Sequence, residues 1–132
     1  MIDLDHFKRI NDGCGHVRGD QVLCAMVEAL REDIRGSDTV FRYGGEEFVV
    51  LLSNTTAALA MRIAERLCGR IEALELRHDN RIVTTTVSIG VAMLRPDDTV
   101  ARLLERADGA LYRAKSNGRN IVRLAPTDGV AH

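Results

Sequence analysis

Two adjacent glycines, Gly44 and Gly45, separate two runs of strand-forming residues, Asp38-Thr39-Val40-Phe41 before them and Val49-Val50-Leu51-Leu52 after them. Strands joined over so short a connection form an antiparallel hairpin, which fixes the centre of any fold this chain adopts. The pair predicts a tight two-residue turn in which both glycines supply positive φ angles. The full tip reads Arg42-Tyr43-Gly44-Gly45-Glu46-Glu47-Phe48. Two carboxylates follow the glycines where no side chain shields them, so a phosphate or a metal ion can approach bare backbone. The tip is built like a ligand site.

The rest of the chain supplies elements to pack around this hairpin. Met1-Ile2-Asp3-Leu4-Asp5 alternates like a strand but has almost no length, and Phe7 to Asn11 reads as a short helix ended by Gly13 and Gly15. Apolar residues at Leu23, Met26, Val27, Leu30 and Ile34 recur at helical spacing between Asp20 and Arg35, where Gly36 stops the helix. After cap residues at Asn54-Thr55-Thr56, a second long helix carries Ala60, Ile63, Ala64, Leu67, Cys68, Ile71 and Leu74. His78-Asp79-Asn80 is a turn, and Ile82 to Leu94 is one strand ending at Pro96. Asp98 or Thr99 caps a third helix whose stripe is Val100, Leu103, Leu104, Ala107, Leu111 and Ala114. Gly118 ends that helix, and residues 120 to 124 form a last strand. The expectation is an α/β (α+β) domain, a mainly antiparallel sheet flanked by helices, over residues 1–125, with 126–132 a disordered tail.

Composition removes several function classes. A chain of 132 residues is one domain, and a formal net charge of -1 gives no bulk attraction for nucleic acid or an anionic membrane. No apolar run spans a bilayer and no signal peptide opens the chain, which leads to the expectation of a cytoplasmic domain whose parent protein is free to carry a membrane anchor elsewhere. Cys14, Cys24 and Cys68 have no metal-ligand spacing; Cys24 and Cys68 fall on apolar helix faces, and all three are read as reduced thiols.

Two constellations carry candidate chemistry. Asp3 and Asp5 share a strand face, and with Glu46 and Glu47 they offer the oxygen ligands magnesium prefers; solvated loop carboxylates are the plainer reading. In a regular strand Glu46 and Glu47 cannot share a face, so one holds metal while the other has a different task. The second is Leu4-Asp5-His6-Phe7-Lys8, where a strand turns into a helix whose amides and dipole favour a phosphate, helped by Lys8. His6 is a general base, a metal ligand or simply a solvent-exposed turn residue. Asn11 and Asp20 have the hydrogen-bonding range to read a guanine edge, or serve as helix-end and capping residues.

These residues, with Gly15-His16, Gly19-Asp20, Ser88-Ile89-Gly90-Val91 and the run from Ala107-Asp108 to Gly118-Arg119-Asn120, resemble the GGDEF domain of bacterial diguanylate cyclases across almost the whole chain. The signature's third residue is Glu here, a GGEEF variant that keeps the carboxylate. The resemblance implies a palm-like nucleotide-cyclase fold that condenses two GTP into cyclic di-GMP and two pyrophosphates. It implies that Asp3, Glu46 and the Leu4 carbonyl bind two magnesium ions, with manganese an alternative. Glu47 would help deprotonate the attacking 3′-hydroxyl or assist the metal site. Asn11 and Asp20 would read guanine, and Lys8, Lys115 and Arg119 would neutralise the triphosphate. The backbone around His6 and Phe7 would cradle it, and Gly44 and Gly45 would make room for the α-phosphate.

By the same resemblance Arg35-Gly36-Ser37-Asp38 matches an Arg-x-x-Asp inhibitory site for product cyclic di-GMP, which Arg66 of a neighbouring domain would complete; a solvated helix arginine is the alternative for Arg66. Each domain would hold one GTP, so catalysis would need a homodimer, driven by an upstream sensor or receiver domain. Family domains begin a few dozen residues earlier, so the chain is expected to lack the N-terminal part of its first strand and to dimerise or misplace its opening segment. An active cyclase, a catalytically weak receptor for GTP or cyclic di-GMP, and a dimerisation module are the three function classes.

Overall fold

The computed structural model describes residues 1–126. The expected tail therefore lies, apart from Pro126, outside the described residues. Seven strands and four helices follow in the order β1 (Ile2–Leu4), α1 (Phe7–Cys14), α2 (His16–Asp33), β2 (Thr39–Arg42), β3 (Glu47–Leu51), α3 (Ala57–Glu72), β4 (Leu76–His78), β5 (Arg81–Val83), β6 (Val87–Val91), α4 (Val100–Ser116) and β7 (Val122–Leu124). Five strands form the central sheet in the order β2-β3-β1-β6-β7, antiparallel except for β6–β7. The mixed, mainly antiparallel sheet flanked by helices is the one the sequence predicts.

Three-residue β1 is the middle strand. Ile2 faces Phe48 of β3 and Ile89 of β6, while Asp3 faces Glu47 and Ser88. Alternation then divides the sheet. Ile2, Leu4, Phe48, Val87, Ile89 and Val122 turn to the face covered by α2 and α3, which add Met26, Leu30, Leu67 and Ile71 to the main core. The opposite face packs Met1 and Val49 against Ala107 and Leu111 of α4. Contact there is close because Gly90 has no side chain: a Cβ on it would lie 2.2 Å from the Ala107 carbonyl oxygen and 2.3 Å from the Leu111 nitrogen. This second face also carries Asp3 and Glu47, so α4 covers its apolar part and leaves its acidic end for chemistry.

Several local expectations change. Neither Gly44 nor Gly45 has a positive φ. The strands end at Arg42 and Glu47, and a four-residue connection joins them, in which the Tyr43 and Gly44 nitrogens donate to the Glu47 carbonyl (2.8 and 3.2 Å). The Arg42 guanidinium holds the loop from outside, its Nε donating to the carbonyls of Gly44 (3.2 Å) and Gly45 (3.0 Å). A wider loop with a side-chain clamp needs no left-handed residues.

Helix α2 starts at His16, four residues before the expected Asp20, and Gly13 lies inside α1; the boundary is Gly15 alone, at φ 86°. The single strand expected from Ile82 is two, β5 and β6, and β5 pairs back on β4 through Asp79 and Asn80, both at positive φ. Val100, placed on the buried stripe of α4, is 76% exposed because it stands in the first turn beyond the sheet. Thr99, rather than Asp98, caps that helix by accepting from the Arg102 nitrogen. Cys24 is exposed on α2 rather than on its apolar face. Cys68 is buried, and its thiol is pushed up to about 11 by burial and by the charges of Asp5, Glu72 and Glu65.

Candidate active site

The site grows from the C-terminal end of β1, where the strand brings two carboxylates onto the α4 face. Asp3 is 4% exposed. Its Oδ2 is paired with the Lys115 ammonium from the last turn of α4, and its Oδ1 has no hydrogen-bond partner. Burial above all, with added repulsion from Glu46 and Glu47, holds its carboxyl above the usual carboxylate range against the opposing pull of Lys115. Glu47 lies directly across the ladder from Asp3, and the Glu46 carbonyl accepts from the Leu4 nitrogen at 3.3 Å. Asp3, Glu46 and Glu47 therefore neighbour one another, with Lys115 paired to Asp3.

Asp5 is equally buried but turns to other work. Its Oδ1 accepts from Ser88 Oγ (2.7 Å), and its Oδ2 accepts from Thr86 Oγ1 (2.6 Å) and the Asn120 nitrogen (3.0 Å). These donors engage both of its oxygens, so neither is open as Asp3 Oδ1 is. Thr86, Ser88 and Arg42 were not legible as site residues; only the Ser88-Ile89-Gly90-Val91 block hinted at Ser88.

Beyond Asp5 the chain turns sharply at His6, whose φ of 55° lets α1 start at once. The His6 side chain is exposed and makes no capping bond, and the first amides of α1, at Phe7 and Lys8, have no earlier helical carbonyl to bond. They offer a phosphate cradle beside Asp3, and Lys8 is exposed there. Asn11 reaches from α1 onto α2: a Cβ on Gly19 would sit 1.9 Å from its Oδ1 and 3.2 Å from Phe7 Cζ. Glycine at 19 is what lets the two helices meet at Asn11; Asp20, the next residue, is exposed inside α2 and caps nothing. Arg119 follows α4 in a left-handed conformation at φ 64°. Gly44 and Gly45 are exposed at the hairpin tip; a Cβ on Gly45 would meet nothing within 4 Å.

Among the described residues no three His, Cys, Asp or Glu side chains gather closely enough to hold a metal ion alone. The donor set still fits a hard cation such as magnesium. A buried, unpartnered carboxylate oxygen stands opposite a second carboxylate, and such ions are normally held by one or two carboxylates with substrate phosphates completing the shell. The best-enclosed cavity, about 130 Å³, lies elsewhere, among Met1, Val49, Leu52, Ile63 and Leu104, and is apolar.

A separate cluster forms where α2 ends. Arg35 grips Asp38 through Nε and Nη2 (both 3.1 Å), and Asp38 also accepts from the backbone nitrogens of Arg35 (3.0 Å) and Ser53 (2.9 Å). Burial alone would raise the Asp38 carboxyl; the Arg35 guanidinium and these amides outweigh it and hold it below the usual range. Arg35 Nη2 reaches on to the Ser53 carbonyl (2.6 Å) and Thr55 Oγ1 (2.7 Å). Arg66, from α3, donates to the Asp33 carbonyl at 3.0 Å and is 60% exposed.

The profile of the family described as "Diguanylate cyclase, GGDEF domain" matches residues 1–121. Diguanylate cyclase A of Treponema denticola is 45% identical over 126 residues, which are 95% of this chain and 34% of that protein. The chain thus spans about a third of that relative's length. Among solved structures, the GGDEF domain of DgcB from Caulobacter crescentus in complex with c-di-GMP superposes with TM-score 0.90 at 34% identity, covering 94% of this chain and 74% of that one. The active GGEEF domain of a diguanylate cyclase from Vibrio cholerae gives 0.87 at 35%, covering 96% and 81%.

Proposed function

The chain belongs to the GGDEF family of diguanylate cyclase domains, and from that membership and its site we propose that it condenses two GTP into cyclic di-GMP with release of two pyrophosphates. The observation that carries the reading is the open oxygen of Asp3, buried and facing Glu47 across one ladder step. A buried carboxylate oxygen without a donor is costly, and a cation supplied with the substrate satisfies it.

Asp3, the Leu4 carbonyl and Glu46 are the residues that would hold magnesium, with manganese as a substitute. When bound, the metal polarises the α-phosphate and eases ionisation of the attacking 3′-hydroxyl. Glu47 stands ready to accept that hydroxyl's proton, a transfer that requires reach as much as pKa. Lys8 and Arg119 neutralise the triphosphate, whose oxygens rest on the His6–Phe7–Lys8 backbone. Lys115 has two tasks: it balances Asp3 in the protein alone and turns to phosphate oxygens when the carboxylate takes up the cation. Asn11 and Asp20 read the guanine edge, and the bare tip at Gly44 and Gly45 admits the α-phosphate. One such surface holds one GTP, so the second substrate comes on a second copy of the domain, brought face to face by an upstream sensor or receiver in the parent protein, in the cytoplasm where GTP is abundant.

Product feedback belongs to the Arg35 and Asp38 corner, completed by Arg66 of a neighbouring domain. Asp38 has both oxygens engaged, so its part there is to hold the Arg35 guanidinium flat while Arg35 and Arg66 present donors to guanine and phosphate. Incubation with GTP and magnesium, followed by chromatography, tests the assignment. Cyclic di-GMP that disappears in Glu46→Ala or Glu47→Ala supports it, whereas tight product binding with no turnover overturns it in favour of a receptor.

A further inference from the structure

We propose that Asp5 is a positioning residue that fastens two phosphate-facing segments, the turn at His6–Lys8 and the loop carrying Arg119, to the same point on β6. The inference rests on the reading of these segments as nucleotide-binding. Both segments are conformationally costly. His6 has φ 55°, and on the other side Gly118, Arg119 and Asn120 run consecutively at 113°, 64° and 51°. Residues other than glycine avoid the left-handed region, so such a run persists only where its surroundings dictate it.

Asp5 is the surrounding that both segments share. Its main chain leads directly into His6, and its nitrogen donates to the Thr86 carbonyl at 2.9 Å. Its Oδ2 receives the Asn120 amide, 115 residues away in sequence, together with Thr86 Oγ1, while Ser88 Oγ holds Oδ1. Asn120 Nδ2 also donates to Glu72 Oε2 at 2.6 Å, which ties the loop to α3. Three donors converge on Asp5. The ionised carboxylate accepts from all of them, and removing it, as in Asp5→Ala, leaves all three without that acceptor. The Asn120 amide then has no partner at residue 5, and Arg119 loses the backbone that aims it.

The test uses Asp5→Ala in the full 132-residue chain, with Thr86→Val as the milder second variant. Amide exchange at Asn120 is expected to quicken about tenfold or more in Asp5→Ala while the amides of α3 keep their protection, since the opening is local. Affinity for a non-hydrolysable GTP analogue with magnesium should fall about tenfold, and KM for GTP should rise more than kcat falls, as expected when a lost contact serves ground and transition states alike. In an Arg119→Ala background the same substitution should cost about threefold or less, because residues acting through one another are not additive. Thr86→Val, which removes one of the three donors, should show the same pattern at about threefold, and it decides the matter if Asp5→Ala does not fold.

Asn120 exchange that changes only in step with all other amides, or costs of Asp5→Ala and Arg119→Ala that multiply, overturns the proposal. Absence of cyclic di-GMP from the unaltered chain would overturn the cyclase reading. Asp5 would still be judged on Asn120 exchange, which needs no turnover.

Discussion

Asp3 and Asp5 stand two residues apart, on the same face of the sheet, and both are 4% exposed. Yet one is saturated by three protein donors, and the other has a single cationic partner and an oxygen with none. Burial is therefore not what separates a structural carboxylate from a functional one here. The difference lies in what surrounds each. Hydroxyls and an amide face Asp5, whereas Glu46 and Glu47 crowd Asp3. A site that gathers like charges without neutralising them stores unfavourable energy that a cation releases on binding.

The largest effect expected from this contrast is on turnover. Asp3→Asn or Glu46→Gln should lower cyclic di-GMP formation by about a thousandfold, since metal-centred stabilisation is worth several kcal/mol. The same Asp3→Asn change should stabilise the fold at neutral pH. A carboxyl whose pKa is raised in the folded state costs stability above that pKa, so the advantage of the variant should shrink as pH falls toward the ordinary value of 3.8. Thermal denaturation at several pH values measures it, and a less stable Asp3→Asn at neutral pH would break the comparison.

Asp5→Ala should act with the opposite sign on stability, costing about 3 kcal/mol by leaving buried donors without their acceptor. Denaturant unfolding at neutral pH checks this. Equal and like-signed effects of the two substitutions would show that both aspartates are structural.

How far the sequence revealed this arrangement follows from the range of each cause. The helical stripes and the hairpin were legible because they depend on residues close in sequence. The family was legible because four blocks of motif, residues 3–20, 42–48, 88–91 and 107–120, stand in the right order along the chain. The turn at Gly44-Gly45 was misread because a clamp by Arg42 replaces positive φ, and a side chain reaching back to a loop carbonyl leaves no trace in a residue pattern. The break between β5 and β6 was hidden because Arg81 to Val91 is rich in β-branched residues throughout, and only the turn at Asp79-Asn80 shows where pairing reverses. The Asp5 cluster was out of reach for another reason: its donors come from residues 86, 88 and 120, joined to it by tertiary structure alone.

The smallest expected effect concerns the second saturated carboxylate, Asp38, and it tests whether saturation itself marks a structural role. Arg35→Ala removes the two guanidinium bonds to Asp38, along with those to Ser53 and Thr55, but leaves the residue-35 and Ser53 amides on Asp38, and the side chain is 42% exposed. The cost should therefore be modest after discounting for solvent. Its pH dependence has a definite sign. A carboxyl held below its ordinary pKa contributes stability above that ordinary value and loses it as pH falls through the depressed one. The gap between the unaltered chain and Arg35→Ala should thus be full at neutral pH and close on acidification, in contrast to Asp3, whose substitution gains stability in the same neutral range. A gap independent of pH would mean that Arg35 stabilises through Ser53 and Thr55 rather than through Asp38, and Asp38 would then resemble Asp5 in its contacts without sharing its energetic role.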